Sequence, residues 1–161
     1  MPAPTTFIHL RLHSEYSVVD GIVRIDEAVA KAVAEGMPAL ALTDLSNLFG
    51  LIKFYQEARN KGLKPIVGCD VWISNDIDRD KSSRMLLLCQ SYPGYLALCR
   101  LLSRAYRENQ YRGRAEIRKS WLSDGNLGTE GLIALSGANL GDIGLALIHN
   151  DFDQARTLAQ E

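Results

Sequence analysis

Residues 38–73, PALALTDLSNLFGLIKFYQEARNKGLKPIVGCDVWI, constrain the fold more than any other part of the chain. Ala39 to Leu42 is a continuous apolar run closed by Thr43 and Asp44, which suits a short strand covered on both faces. Leu48, Leu51, Ile52 and Tyr55 then recur at helical spacing. Asp44, Ser46 and Asn47 offer caps for that helix, and Gly62 stands where it would stop. Lys64-Pro65 opens a second strand that runs to Ile73. Strand, helix and strand within some thirty-odd residues make a βαβ unit, which requires parallel strands and a right-handed crossover. Asp44 closes the first strand and Asp70 lies within the second. Because parallel α/β proteins build their sites at the carboxyl ends of strands, the two aspartates are expected near one rim.

The flanking sequence extends the same alternation. Phe7 to Leu12 reads as a first strand, followed by a loop through Asp20-Gly21 and an amphipathic helix over residues 25–35 that Gly36 stops. After residue 73, SNDIDRDKSS (74–83) reads as a charged loop and Met85 to Cys89 as a buried strand. Tyr92-Pro93-Gly94-Tyr95 reads as a turn, and residues 95–108 as a helix with Leu96, Cys99, Leu102 and Tyr106 inward. Residues 109–128 look irregular, with Trp121-Leu122 as the inward anchor. A strand over 132–137 and helices near 142–148 and from about 151 onward complete the chain. The expectation is an α/β protein: the first part of a larger parallel barrel, carried on one domain over residues 1–161.

With 47% hydrophobic residues, a chain of 161 residues can bury a substantial core. Its formal net charge of −1 gives no global attraction to nucleic acid or to an anionic membrane. Cys69, Cys89 and Cys99 sit in apolar segments without metal-ligand spacing and are expected to be reduced core residues of a cytoplasmic protein. The N-terminus carries neither a basic leader nor a long apolar run, so neither export nor a membrane partner is expected.

Candidate chemistry concentrates at strand ends. His9, Arg11 and His13 alternate, so on a regular strand they would share one face at roughly 7 Å per two-residue step. A guanidinium cannot ligate a metal, so the row supports either a metal site damaged by Arg11 or structural histidines. A second candidate is the basic, aromatic-interleaved stretch 100–119. Arg104, Arg107, Arg112 and Arg114 could there touch a nucleic-acid backbone, although a solvated helix face and loop explain the same pattern. Phosphate-binding glycine loops and nucleophile elbows are absent from the sequence.

FIHLRLHSEYSVVDG (7–21), the stretch 36–71, Gly94-Tyr95 with LLSRAY (101–106), and GLIALSG (131–137) together resemble the PHP (polymerase and histidinol phosphatase) domain family. The form most resembled is the N-terminal PHP domain of proteobacterial DNA polymerase III alpha subunits. That resemblance implies a distorted (β/α)7 barrel whose strand ends, in active members, hold up to three metal ions and hydrolyse phosphoesters. Carried over position by position, the ligand pattern falls on Arg11, His13, Asp20, Leu45, Asp70, Arg84 and Ala138. Four of these seven, Arg11, Leu45, Arg84 and Ala138, are not ligands, and two of the four are cationic. The resemblance therefore implies a vestigial metal site with no cofactor and no catalytic residue in this chain, and Arg11 is expected to pair with Asp20 or Asp70 in the metal's place. It further implies a scaffold within the replisome that docks the rest of the alpha subunit and the proofreading exonuclease subunit, and meets DNA only indirectly. The parent subunit would be a DNA-directed DNA polymerase, a nucleotidyltransferase whose polymerase carboxylates lie outside these residues. Two alternatives stand beside it: a residual metal-dependent phosphoesterase or pyrophosphatase using His13, Asp20 and Asp70, and a DNA-contacting module built on residues 100–119.

Overall fold

Ala39–Leu42 forms β1, and all four of its residues are buried, as a strand covered on both faces requires. The computed structural model describes residues 7–123, 125 and 129–160. Two compact units result, Met1–Cys69 and Asp70–Glu161, and strand β2 (Lys64–Ile73) runs from one into the other.

In the first unit, β1 pairs in parallel with the start of β2, Ala39 opposite Lys64 and Leu42 opposite Val67. The crossover is helix α2 (Leu51–Asn60), so the βαβ reading holds. Its inward residues, however, are Leu51, Phe54 and Ala58, whereas Ile52 and Tyr55 are exposed. None of the expected caps serves this helix, which begins after Gly50 without a side-chain cap. Asn47 Oδ1 instead accepts the Phe49 N–H at 3.0 Å in a local turn, and Asp44 is engaged elsewhere. Helix α1 (Ile25–Ala34) buries Ile25, Val29 and Ala32 against Leu40, Leu42, Phe54, Ala58 and Leu63, and this cluster is the unit's core.

The expected strand at Phe7 to Leu12 is not a regular one. His9 pairs with Leu40 and Ser14 with Val23 only as isolated bridges. The reason lies at Thr43: its hydroxyl accepts the Leu12 N–H at 2.9 Å, taking a donor that a continuous ladder would have used. The segment follows β1 through Ala41 N–H to His9 O and Thr43 N–H to Leu12 O, each 2.9 Å.

In the second unit the strand order is β4-β5-β2-β3-β6, comprising the end of β2, β3 (Ser83–Cys89), the hairpin β4 (Gln110–Tyr111) and β5 (Arg114–Ile117), and β6 (Leu132–Ser136). β5 lies parallel to β2, but β6 runs antiparallel to β3, so the purely parallel barrel half expected from strand counting is corrected. Helix α3 (Tyr92–Glu108) absorbs the residues read as a turn. Ser91 Oγ accepts the Gly94 N–H at 3.3 Å and Pro93 lies in the first turn, where its missing N–H does no harm. α3 buries Ala97, Leu98, Leu101, Leu102 and Ala105, while Tyr106, expected inward, is exposed.

The stretch read as irregular holds the β4–β5 hairpin, whose two-residue turn has Arg112 and Gly113 at φ 48° and 79°, and the short helix α4 (Lys119–Leu122) with Trp121 buried as expected. Residues 124 and 126–128 of it lie outside the described residues. Helices α5 (Asp142–Ile148) and α6 (Phe152–Gln160) match expectation. Among the described residues no helix is long and apolar enough to cross a membrane.

Candidate functional site

The candidate residues divide between the units: Arg11, His13, Asp20, Asp44 and Leu45 in the first, Asp70, Arg84 and Ala138 in the second.

In the first unit the loop after His13 folds over the end of β1. Ser14 donates to Asp44 twice, through N–H to Oδ1 at 2.6 Å and through its hydroxyl to Oδ2 at 2.9 Å, and both residues are buried. Asp44 is only 1% exposed, and this desolvation pushes its carboxyl above the usual carboxylate range. The Ser14 hydrogen bonds and the nearby His13 oppose the rise, and the charge of Asp20 adds to it. Asp20 Oδ1 accepts from the Ser17 hydroxyl at 2.7 Å and lies 3.0 Å from His13 Nδ1. Ser17 in turn accepts the Leu45 N–H at 2.9 Å. A Cβ on Gly21 would overlap the Ser14 carbonyl, so the Asp20-Gly21 turn closes tightly only because residue 21 has no side chain. Cys69 donates its thiol to the Asp44 carbonyl at 3.2 Å, a structural contact. His9 is exposed and packs edge-on to Phe7 with ring centres 4.6 Å apart.

In the second unit Asp70 is 1% exposed, and its Oδ2 lies 3.4 Å from Nη1 of Arg84, itself buried. The Arg84 guanidinium also stacks on the ring of Trp72 at 4.0 Å, and Arg114 approaches the same ring at 5.0 Å. Gly137 abuts the Arg84 main chain, since a Cβ there would overlap the Arg84 carbonyl. That contact sets Ala138 beside β3, in the left-handed region at φ 49°. Arg11 lies at an exposed position in the first unit.

Glu116, within the basic stretch 100–119, is fully buried. Arg79 Nη2 reaches its Oε2 at 2.9 Å and Arg114 Nη2 its Oε1 at 3.1 Å. A glutamate in the short apolar run Ala115-Glu116-Ile117, flanked by arginines, was the available signal. Two other members of the basic stretch are also engaged: Arg104 pairs with Glu108 at 2.9 Å and lies over Trp121 at 4.2 Å, and Arg112 pairs with Asp80 at 2.8 Å. Arg107 is exposed on the last turn of α3.

In comparison with known proteins, residues 9–161 match the PHP domain. The chain belongs to the PHP domain family. It is 44% identical over 158 residues to DNA polymerase III subunit alpha of Pseudomonas fluorescens, covering 98% of this chain and 13% of that protein. The corresponding subunit of Neisseria meningitidis serogroup B is 45% identical over 155 residues, with 96% and 13% covered. This PHP chain thus spans 13% of the length of those relatives. Among solved structures, an amidohydrolase from Chromobacterium violaceum with bound sulfate and no metal shares 26% identity at a TM-score of 0.48, over 61% of this chain and 32% of that one.

The residues present do not fit a PHP metal cluster. Leu45 and Ala138 have no donor atom, Arg84 brings a positive charge against Asp70, and Arg11 cannot ligate. Among the described residues there is no group of three or more His, Cys, Asp or Glu side chains that could hold a metal ion.

Proposed function

We propose that this chain is the N-terminal PHP domain of a replicative DNA polymerase III alpha subunit, that its phosphoesterase site no longer works, and that it serves the replisome as a scaffold which docks the proofreading exonuclease subunit. The observation that carries this reading is the Arg84–Asp70 pair: where an active PHP site needs a metal ligand, a buried guanidinium neutralises the neighbouring carboxylate. The likeness to polymerase alpha subunits along 98% of the chain supports the parent protein. The engagement of Arg104, Arg112 and Arg114 with Glu108, Asp80 and Glu116 speaks against residues 100–119 as a free phosphate-binding strip.

Elemental analysis of the purified protein for Zn, Mn and Fe, with a chelator-sensitive phosphatase assay, tests the loss of chemistry. Substoichiometric metal and no chelator-sensitive phosphate release are expected; stoichiometric metal overturns the reading. Docking is tested separately by titrating the purified exonuclease subunit against the chain, with saturable binding expected.

A further inference from the structure

Residues 74–82 join β2 to β3 and carry one 3-10 turn, Arg79–Lys81, which the Asp78 side chain caps by accepting the Asp80 N–H at 3.1 Å. Two residues of this loop reach across to the β4–β5 hairpin. Arg79 donates through Nη2 to Glu116 Oε2 at 2.9 Å, and its guanidinium lies 4.8 Å from the Tyr111 ring centre. Asp80 Oδ1 accepts the Tyr111 hydroxyl at 3.0 Å and lies 2.8 Å from Arg112 Nη1. Arg114 closes the circle: one Nη2 lies 3.1 Å from Glu116 Oε1 and donates to the Arg79 carbonyl at 3.1 Å.

These ties are unequal. The Glu116 side chain is 0% exposed and stands on β5, between β4 and β2 in the sheet, so it can neither reach water nor move aside. Arg79 and Arg114 keep 35% and 26% of their side chains in solvent, and Asp80 and Arg112 keep 50% and 68%. An exposed ion pair contributes about 0–1 kcal/mol, whereas a carboxylate shut away from water depends on its cations. We propose that residues 74–82 form a strap latched onto the hairpin by Glu116, so that losing this one carboxylate's charge frees the strap while the sheet beneath keeps its fold. Arg79 and Arg114 both lie against the Tyr111 ring, at 4.8 and 5.8 Å. With Glu116 neutral, the two guanidiniums repel each other there, and their half-exposed side chains swing out to water. The tie through Asp80 orients the strap without holding it.

The test is limited trypsin digestion of the purified chain under native conditions, with cleavage after Lys81, in the strap, compared by mass spectrometry with cleavage after Lys61, in the first unit. Glu116→Gln is expected to raise cleavage after Lys81 by at least about tenfold and to leave cleavage after Lys61 unchanged. Arg79→Gln, which cuts the latch from the strap's side, is expected to do the same. Arg112→Gln, which weakens only the exposed tie, is expected to stay within about fivefold of wild type. Glu116→Gln and Arg79→Gln chains that digest like wild type overturn the latch, and so does an Arg112→Gln chain that releases the strap as fully as they do. Where Glu116→Gln unfolds the chain altogether, Arg79→Gln decides: release confined to Lys81 supports the strap, and a matching rise after Lys61 overturns it.

Discussion

At the residue scale, Asp44 makes the chain's stability depend on pH in a direction opposite to that of a salt-bridged aspartate. Burial raises its folded-state pKa above that of an ordinary aspartate, so the native state holds the proton more tightly than the unfolded chain. The stability this contributes is fully present below the unfolded value and is lost as pH rises through the raised folded one. Asp44→Asn should therefore flatten that part of the profile. Melting temperatures measured from pH 3.5 upward should fall less steeply in the variant than in wild type, and parallel profiles would show that Asp44 is not the cause. Leu45 sets a second prediction. Giving it an imidazole through Leu45→His still leaves Ala138 without a donor and Arg84 on Asp70, so no chelator-sensitive hydrolysis of p-nitrophenyl phosphate should appear.

At the scale of elements, the sequence made β1, α1, α2 and the β1–α2–β2 crossover legible, because apolar period and punctuating glycines agree there: Gly36 and Gly62 both follow their helices at positive φ. Which side of α2 faces inward was not legible. Leu48 and Tyr55 satisfy a helical period as well as Phe54 and Ala58 do, and only the position of β1 decides between them. The β4–β5 hairpin was missed because its turn uses Arg112 in the left-handed region, where asparagine or glycine is the usual signal. The antiparallel turn of β6 leaves no local mark either, since strand direction depends on how a connection folds back. The β3–β6 ladder carries its own prediction. Gly137→Ala forces a methyl group into the Arg84 carbonyl and should cost about 1–3 kcal/mol, readable by urea denaturation against wild type. A midpoint unchanged by that substitution would mean the close approach is not real.

At the scale of the whole molecule, charge decides what the chain can attract. Eighteen Lys and Arg against nineteen Asp and Glu leave no global field, and the local cations of residues 100–119 are largely neutralised by partners within their own unit. Duplex DNA should therefore not bind at micromolar protein in near-physiological salt. An affinity in that range, falling steeply as salt is raised in a fluorescence anisotropy titration, would refute this. The candidate positions were legible in the sequence one by one. The contact of Arg84 with Asp70 and Trp72 was not, because no local pattern shows that β2 and β3 bring the three side chains together.

The Arg84–Asp70 pair also bears on the road back to hydrolysis. Any return must begin with some single substitution, and the informative one, Arg84→His, strips a buried carboxylate of its neighbour before a metal cluster exists to replace it. Leu45 and Ala138 would still be silent at that moment, so the first step loses stability and gains no chemistry. On the proposed reading, a mutational path toward a working phosphoesterase that opens at Arg84 therefore starts downhill.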